Sequence, residues 1–182
     1  YAVTFIHQNR LHLGWLNTDL APLGDLGIVP TLGGTPGRVD MLWDGSVAIM
    51  VFADRATSNT PYQLRGARVP FGTSAADIQA TTLDTTPDRS QNEIAPSMTT
   101  LSNGRLLLTW THGPEHPSRS ATQQILMRLY GTHFNPIGDA LHSELIGSDS
   151  EVVATQNQQA VMTALIGRGS TRRLFAAQVR CD

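Results

Sequence analysis

The stretch PSMTTLSNGRLLLTW, residues 96–110, consists of two short runs of β-prone residues joined by Ser-Asn-Gly. Asn-Gly between two such runs is a strong signal for a tight β-hairpin, because both residues tolerate a positive φ. The stretch RVDMLWDGSVAIMVF at 38–52 has the same layout, with Asp-Gly at the turn. A third copy, EVVATQNQQAVMTAL at 151–165, keeps the Asn but has Gln158 in place of the Gly. The sequence therefore predicts a hairpin that is repeated along the chain.

Further strands follow each hairpin. In the best-formed copy, a loop rich in Pro and Ser separates the hairpin from a third strand at 124–131 and a fourth at 140–147. In the preceding copy the corresponding strands lie at 62–69 and 76–83, and in the last copy the third strand lies at 173–180. Self-similarity over units of this length, with several short strands in each, is typical of repeat architectures.

The opening of the chain belongs to the same series, since LHLGWLNTDLAPLGD (11–25) aligns without gaps to ILMRLYGTHFNPIGD (125–139). We therefore expect a single repeat domain over residues 1–182. It contains a partial unit without its first strand, two complete units, and a partial unit without its last strand. These units span residues 1–32, 36–84, 94–147 and 149–182. Because Tyr1 already lies inside an apolar run, we expect the domain to be part of a longer chain.

The strands of the repeat are apolar at successive positions, as in LLLTW (106–110) and VAIMVF (47–52). A strand with one buried face would alternate instead, so these strands are expected to be covered on both faces. Sheets stacked face to face around an axis cover strands in that way, and four-stranded blades are the unit of a β-propeller. The sequence therefore predicts an all-β, propeller-like fold with roughly four-stranded blades. The alternative is a β-sandwich, which gives no reason for the repeat.

Composition argues against several classes of function. Charged residues make up 15% of the chain, against about 25% in an average soluble domain, and all 13 basic residues are Arg. With a net charge of −2 and no basic run, nucleic acid is not an expected partner. No apolar run approaches the roughly 18–20 residues of a membrane-spanning helix. The one cysteine, Cys181, has no second cysteine to pair with in this sequence.

One part of the chain carries a resemblance to a known family. Residues 95–139 contain P-x-x-x-x-L-S-N-G, then Trp110, I-x-x-R-x-Y at 125–130 and N-P-I-G at 135–138. This order resembles the blade repeats of secreted bacterial surface proteins of the adhesin type. The resemblance implies a propeller-like fold and a location outside the cell or on its surface, and it implies no activity. The other copies lack the Trp of the pattern, so the match is weaker there.

A blade motif without a catalytic motif predicts a non-catalytic repeat module, which is not an enzyme and serves as a scaffold or binds a glycan or a protein. The alternative is a carbohydrate-active propeller enzyme, such as a sialidase-like hydrolase. The S-x-D-x-G-x-x-W box of sialidases is absent, because SNGRLLLTW at 102–110 has no Asp. An inward cluster of Arg with carboxylates at the propeller axis would favour the enzyme, and loops without convergent charge would favour binding.

Trp43 is the candidate ligand-binding residue, because an aromatic side chain next to a hairpin turn can stack on a sugar or contact a partner. His112 and His116 have the spacing of two zinc ligands on one helix face, but the Gly-Pro between them interrupts any helix. We interpret that stretch as a loop. No catalytic or cofactor-binding residue is expected. Calcium is the one metal left open, on the acidic loops 84–93 and 147–151, which interleave carboxylates with Ser, Thr and Asn oxygens.

Overall fold

A computed structural model describes residues 1–24, 26–83, 85, 90–115, 122–167 and 171–180, without the side chains of residues 144 and 145. The described part of the chain is all-β, with thirteen strands and one short 3-10 turn, Ala75–Asp77. The strands are β1 (Ala2–His7), β2 (Arg10–Trp15), β3 (Gly27–Ile28), β4 (Val39–Trp43), β5 (Val47–Asp54), β6 (Gln63–Pro70), β7 (Thr81–Thr82), β8 (Asn92–Thr100), β9 (Leu106–Gly113), β10 (Gln124–Tyr130), β11 (Pro136–Ala154), β12 (Gln159–Ile166) and β13 (Arg173–Arg180).

The strands form antiparallel sheets in chain order. One sheet holds β1–β3, another holds β4–β7, and a third runs from β8 to β13. In the third sheet, the first half of the long strand β11 pairs with β10 and its second half pairs with β12. We therefore divide that sheet into two blades that share β11. Blade 1 is β1–β3, blade 2 is β4–β7, blade 3 is β8–β10 with the first half of β11, and blade 4 is the rest.

This arrangement confirms the predicted fold class, with two complete blades and two partial ones. The environment of strand β5 explains why its residues 47–53 are all apolar. Ile49 and Val51 face a core between blades 2 and 3, whereas Met50 and Phe52 face a core between blades 1 and 2. Successive residues thus enter different cores, and the strand is buried from Ala48 onward. A strand covered on both faces has no position for a solvated side chain, which accounts for the continuous apolar run.

The core between blades 2 and 3 contains the largest buried side chains, Trp110 and Tyr130, both fully buried. At its edge the ring of Phe134, in the turn between β10 and β11, covers Gly66 of β6. A Cβ at Gly66 would lie 2.8 Å from that ring. Glycine is therefore needed at this position for blade 3 to approach blade 2 so closely.

The hairpin turns follow the predicted chemistry. Gly45 and Gly104 have φ of 97° and 79°, and the turn of blade 4 places Asn157 and Gln158 at 58° and 57°. A left-handed Gln is less favourable than Gly, so the third hairpin keeps its turn at a local energetic cost.

Two elements differ from the prediction. The fourth strand expected at 76–83 is reduced to β7 (Thr81–Thr82), preceded by the 3-10 turn. The loop expected at 147–151 is instead extended and lies inside β11. The reason is tertiary: Gly147 N donates to Gln123 O of blade 3, and the residues that follow pair with β12 of blade 4.

Candidate functional site at the propeller axis

The innermost strands of blades 2, 3 and 4 are β4, β8 and the second half of β11. Each pairs with the next strand of its own blade, so its other edge faces the axis. Backbone N–H groups on such an edge need other acceptors. Side chains of the neighbouring inner strand supply them, in three bonds: Met98 N to Asp40 Oδ2 (2.7 Å), Val152 N to Ser97 Oγ (3.1 Å) and Ala154 N to Thr99 Oγ1 (2.9 Å).

Three polar side chains meet at the axis, and we call them the axial cluster: Arg38, Ser97 and Glu151. They occupy equivalent positions, each the same distance before its hairpin turn. Arg38 forms an ion pair with Glu151, and Ser97 Oγ donates to Glu151 Oε2 over 3.1 Å. The side chains of Arg38 and Glu151 remain 45% and 48% exposed. A carboxylate is thus held at the axis by a cation and a hydroxyl while solvent, or a ligand, can still reach it.

A β-bulge precedes two members of the axial cluster. The pairing register shifts between Ile94 and Ser97 in β8, and between Ser148 and Glu151 in β11. Inside these bulges Ala95 and Asp149 stand at equivalent positions with φ of 51° and 52°. A left-handed conformation costs a non-glycine residue about 1 kcal/mol. Bulges often re-aim a side chain beside a functional site, and here they lie directly before Ser97 and Glu151.

Hydroxyl groups of β9 hold the bulge of β11 in place by hydrogen bonds. Asp149 N donates to Thr111 Oγ1 over 3.1 Å, and the buried Ser150 Oγ donates to Thr109 Oγ1 over 3.1 Å. Asp149 itself is exposed, and its Oδ2 accepts a hydrogen bond from Ser148 Oγ at 2.7 Å. The segment therefore presents two carboxylates, Asp149 and Glu151, on a backbone that is held by side-chain hydrogen bonds.

A second group of charges lies where β5 ends. Asp54 is fully buried. It accepts hydrogen bonds from Leu32 N and Arg55 N, both at 2.9 Å, and from Arg65 Nη1 at 3.1 Å. With three donors on one buried carboxylate, its role is structural.

Arg55 links this group to blade 3. Arg55 Nη1 lies 3.1 Å from Glu115 Oε2. The guanidinium carbon Cζ of Arg55 lies over the Tyr62 ring, 4.3 Å from its centre. Burial raises the pKa of Tyr62 above its usual value, against the opposing effect of the Arg55 charge. These contacts join the loops of blades 2 and 3.

Trp43 is the last residue of β4, whereas Arg38 directly precedes that strand. At about 3.3 Å per residue, Trp43 lies some 16 Å along the strand from the axial cluster. Its ring is in contact with those of Trp15 and Phe71. The structure therefore does not bring the predicted ligand-binding residue into the axial site.

Sequence reasoning missed the axial cluster, although a signal was present. Arg38 and Glu151 open two of the repeat copies, and Ser97 occupies the same position in the other. All three are polar residues at one and the same repeat position. Equivalent positions of adjacent blades lie near one another, so the alignment predicts that these residues are neighbours, but it does not show that this position faces the axis.

The metal predictions stay predictions. His112 lies within β9, while His116 and Cys181 lie outside the described residues. Much of 84–93 is also outside them, so the calcium hypothesis for that loop is untested. Across the residues that the structure describes, no three His, Cys, Asp or Glu side chains form a group that could hold a metal ion. In the same residues, no helix is long and apolar enough to cross a membrane.

Comparison with known proteins gives structural matches alone. No family model and no curated protein matches the sequence. A Penicillium chrysogenum α-L-arabinanase complexed with arabinobiose is similar at 14% identity and a TM-score of 0.64, over 99% of this chain and 58% of that one. An α-L-arabinofuranosidase from Lactobacillus brevis is similar at 10% identity and a TM-score of 0.67, over 94% and 61%. A Trypanosoma rangeli sialidase in complex with the inhibitor DANA is similar at 6% identity and a TM-score of 0.51, over 97% and 33%.

The chain thus spans about three fifths of the length of the first two of these proteins. At such low identity the likeness establishes the propeller fold, and the adhesin-type repeat finds no further support. The comparison also contradicts the expectation of a non-catalytic module that is not an enzyme, because these propellers are glycoside hydrolases. The inward Arg–carboxylate cluster, set out above as the feature that favours an enzyme, is present at the axis.

Proposed function

We propose that this chain forms part of a carbohydrate-active propeller hydrolase, and that its glycan substrate binds at the axial cluster. The observation that carries the proposal is the convergence of Arg38, Ser97 and Glu151. One polar residue stands at the same repeat position in, or directly before, each of three successive inner strands, and those residues are joined by an ion pair and a hydrogen bond. A packing role alone would be met by apolar residues at these positions, as it is by Val39, Met98 and Val152 directly after them.

The chemistry of glycoside hydrolysis suits the carboxylates of this segment. Such reactions use two carboxyl groups, one that protonates the leaving oxygen and one that activates water or attacks the sugar. We assign Glu151 as the carboxylate that contacts the substrate at the scissile bond. Asp149, exposed in the bulge beside it, is the candidate for the second. Arg38 holds Glu151 in place and offers donors to sugar hydroxyls.

The charge balance of the cluster favours a neutral glycan. The guanidinium of Arg38 is already engaged by Glu151, so it has less to offer a sugar carboxylate such as that of sialic acid. Two of the similar structures are named as an arabinanase and an arabinofuranosidase. Arabinose-containing glycans are therefore the first substrates to test, ahead of sialylated ones.

The test is release of reducing sugar from arabinan and arabino-oligosaccharides by the full-length protein that contains this chain, as wild type, E151Q and D149N. Asn tolerates the left-handed conformation of residue 149 well, so D149N removes the charge and keeps the bulge. We expect each variant to lower kcat/KM by about 10²–10⁴-fold, the usual contribution of one acid–base group. E115Q, which removes a carboxylate that is 37% exposed and, like Glu151, paired with an Arg, is the matched control and should keep full activity.

Full activity in E151Q would contradict the assignment of Glu151. Absence of hydrolysis by the folded full-length protein on every glycan, sialylated ones included, would contradict the proposed function itself.

We also propose that the four units at 1–32, 36–84, 94–147 and 149–182 act as one domain, and that the protein works outside the cell. Cores shared between blades support the first point. The resemblance of 95–139 to repeats of secreted proteins supports the location outside the cell. A single cooperative unfolding transition would agree with one domain, and two separate transitions would not. Recovery of the native protein from inside cells alone, with none in the medium or on the cell surface, would refute the proposed location outside the cell.

A further inference from the structure

The hairpin end of blade 2 carries a cluster of aromatic rings, which we call the aromatic patch: Trp15, Trp43 and Phe71. The three rings meet edge to face, with centroids 6.0 Å apart for Trp15–Trp43, 5.1 Å for Trp15–Phe71 and 6.4 Å for Trp43–Phe71. Trp43 and Phe71 are 49% and 56% exposed. They come from the end of β4 and the turn after β6, so two elements of blade 2 and one of blade 1 build a single apolar surface.

The patch is held rigidly. Each ring is in contact with the other two, and Trp15 Nε1 donates a hydrogen bond to Thr73 O over 3.1 Å. That bond ties blade 1 to the same turn of blade 2 that carries Phe71. Because the rings are fixed by these contacts, a ligand would lose little side-chain freedom on binding to them.

Hydrogen-bonding groups border the patch. Next to Trp43, Asp44 Oδ1 accepts hydrogen bonds from Ser46 N at 3.0 Å and from Val47 N at 2.7 Å. Asp44 Oδ2 accepts a hydrogen bond from Arg68 Nη2 at 3.1 Å. The Ser46 and Val47 N–H groups hold the pKa of Asp44 below its usual value, so the carboxylate stays ionised. Its charge is balanced within the blade by Arg68, and the border is therefore polar without being an unpaired charge.

We propose that the aromatic patch binds a neutral carbohydrate chain, at a site separate from the axial cluster. The C–H face of a sugar ring packs on the exposed faces of Trp43 and Phe71, and sugar hydroxyls reach the oxygens of Asp44 and Ser46. A charged peptide would find no unpaired charge to meet, since Asp44 and Arg68 already pair. The inference does not rest on hydrolysis, because it concerns binding at the other end of β4.

The experiment is native gel electrophoresis of the full chain in gels that contain arabinan, xylan or galactomannan, for wild type, W43A and F71A. Wild type should be retarded by at least one of these polysaccharides. W43A should weaken retardation about tenfold, as truncation of a central aromatic anchor does, and F71A should weaken it in the same direction. L174A, which removes an apolar side chain of β13 that is 76% exposed and lies outside the patch, is the control.

A fluorescence titration and the E151Q variant test whether binding occurs at the aromatic patch. Two of the three Trp residues lie in the patch while Trp110 is fully buried, so a polysaccharide that retards wild type should also change its intrinsic fluorescence. The change should be smaller in W43A, which keeps Trp15 in the patch. E151Q should keep full retardation, which separates this site from the axial one. The proposal fails if no polysaccharide retards the protein, or if W43A and F71A are retarded like wild type. It also fails if sedimentation shows that the patch joins two copies of this chain.

Discussion

The carboxylates of this chain differ in role according to what surrounds them. Asp54 is fully buried with three hydrogen-bond donors, and a buried charge with a full set of partners serves the fold. Glu151 has a guanidinium and a hydroxyl as partners and is about half exposed. The second arrangement leaves lone pairs for a ligand. Both residues are acidic side chains next to Arg in space, and burial alone separates the structural role from the proposed functional one.

Asp44 provides a test of acid stability at the scale of one residue. The backbone N–H groups of Ser46 and Val47 lower the pKa of Asp44 below 3.8 in the folded state. A lowered pKa stabilises the fold above the unfolded-state value, and that stabilisation is lost as the pH falls through the folded value. D44N should therefore lower the melting temperature relative to wild type at pH 6, and the difference should shrink as the pH falls below 3.8.

The measurement is thermal unfolding by circular dichroism at several pH values from 6 down to 2. D19N, in the loop after β2, controls for the loss of one negative charge. A difference between D44N and wild type that stays constant across this range would contradict the argument.

Hairpins and strands were readable from the sequence because their causes are local. Asn-Gly and Asp-Gly fix the turns through backbone conformation, and the apolar run at 47–53 marks β5 as a strand. The short β7 and the extended segment at 147–151 were not readable. Their conformations depend on pairing with strands far along the chain, which no local pattern records.

Gly104 tests the turn chemistry at the scale of an element. Its φ is 79°, and a Cβ built there has no atom within 4 Å, so a substitution meets backbone strain and no steric clash. G104A should lower the free energy of unfolding by about 1 kcal/mol, the cost of a left-handed alanine. G45A should do the same, since Gly45 has a φ of 97° and equally open surroundings.

Urea denaturation of the variants measures both losses, with S102A in the same turn as the control that leaves Gly104 in place. An unchanged midpoint in G104A would show that the turn can relax, and would remove the reason for Gly at this position.

At the scale of the molecule, polar contacts and shared cores join the blades. Side chains of one inner strand accept N–H groups of the next, and β11 belongs to two blades at once. The axial cluster exists only because equivalent positions of different blades converge. A sequence shows the repeat that generates such convergence, and it does not show which repeat position faces the axis. The fold class was therefore predictable, while the site needed the structure.

The contact of Phe134 with Gly66 tests this packing between blades 2 and 3. Because a Cβ on residue 66 would meet the ring at 2.8 Å, G66A should lower the free energy of unfolding by about 1–3 kcal/mol, the usual cost of overpacking. F134A opens space at the same place, so G66A should cost much less in that background. The double variant should then be more stable than the sum of the single effects predicts, by about 0.5–3 kcal/mol, as for residues in direct contact.

Urea denaturation of wild type, the two single variants and the double variant measures this coupling. The pair G66A and L174A, from blades that do not touch at these positions, should be additive. Additive effects of G66A and F134A would mean that the ring does not hold blade 3 against blade 2.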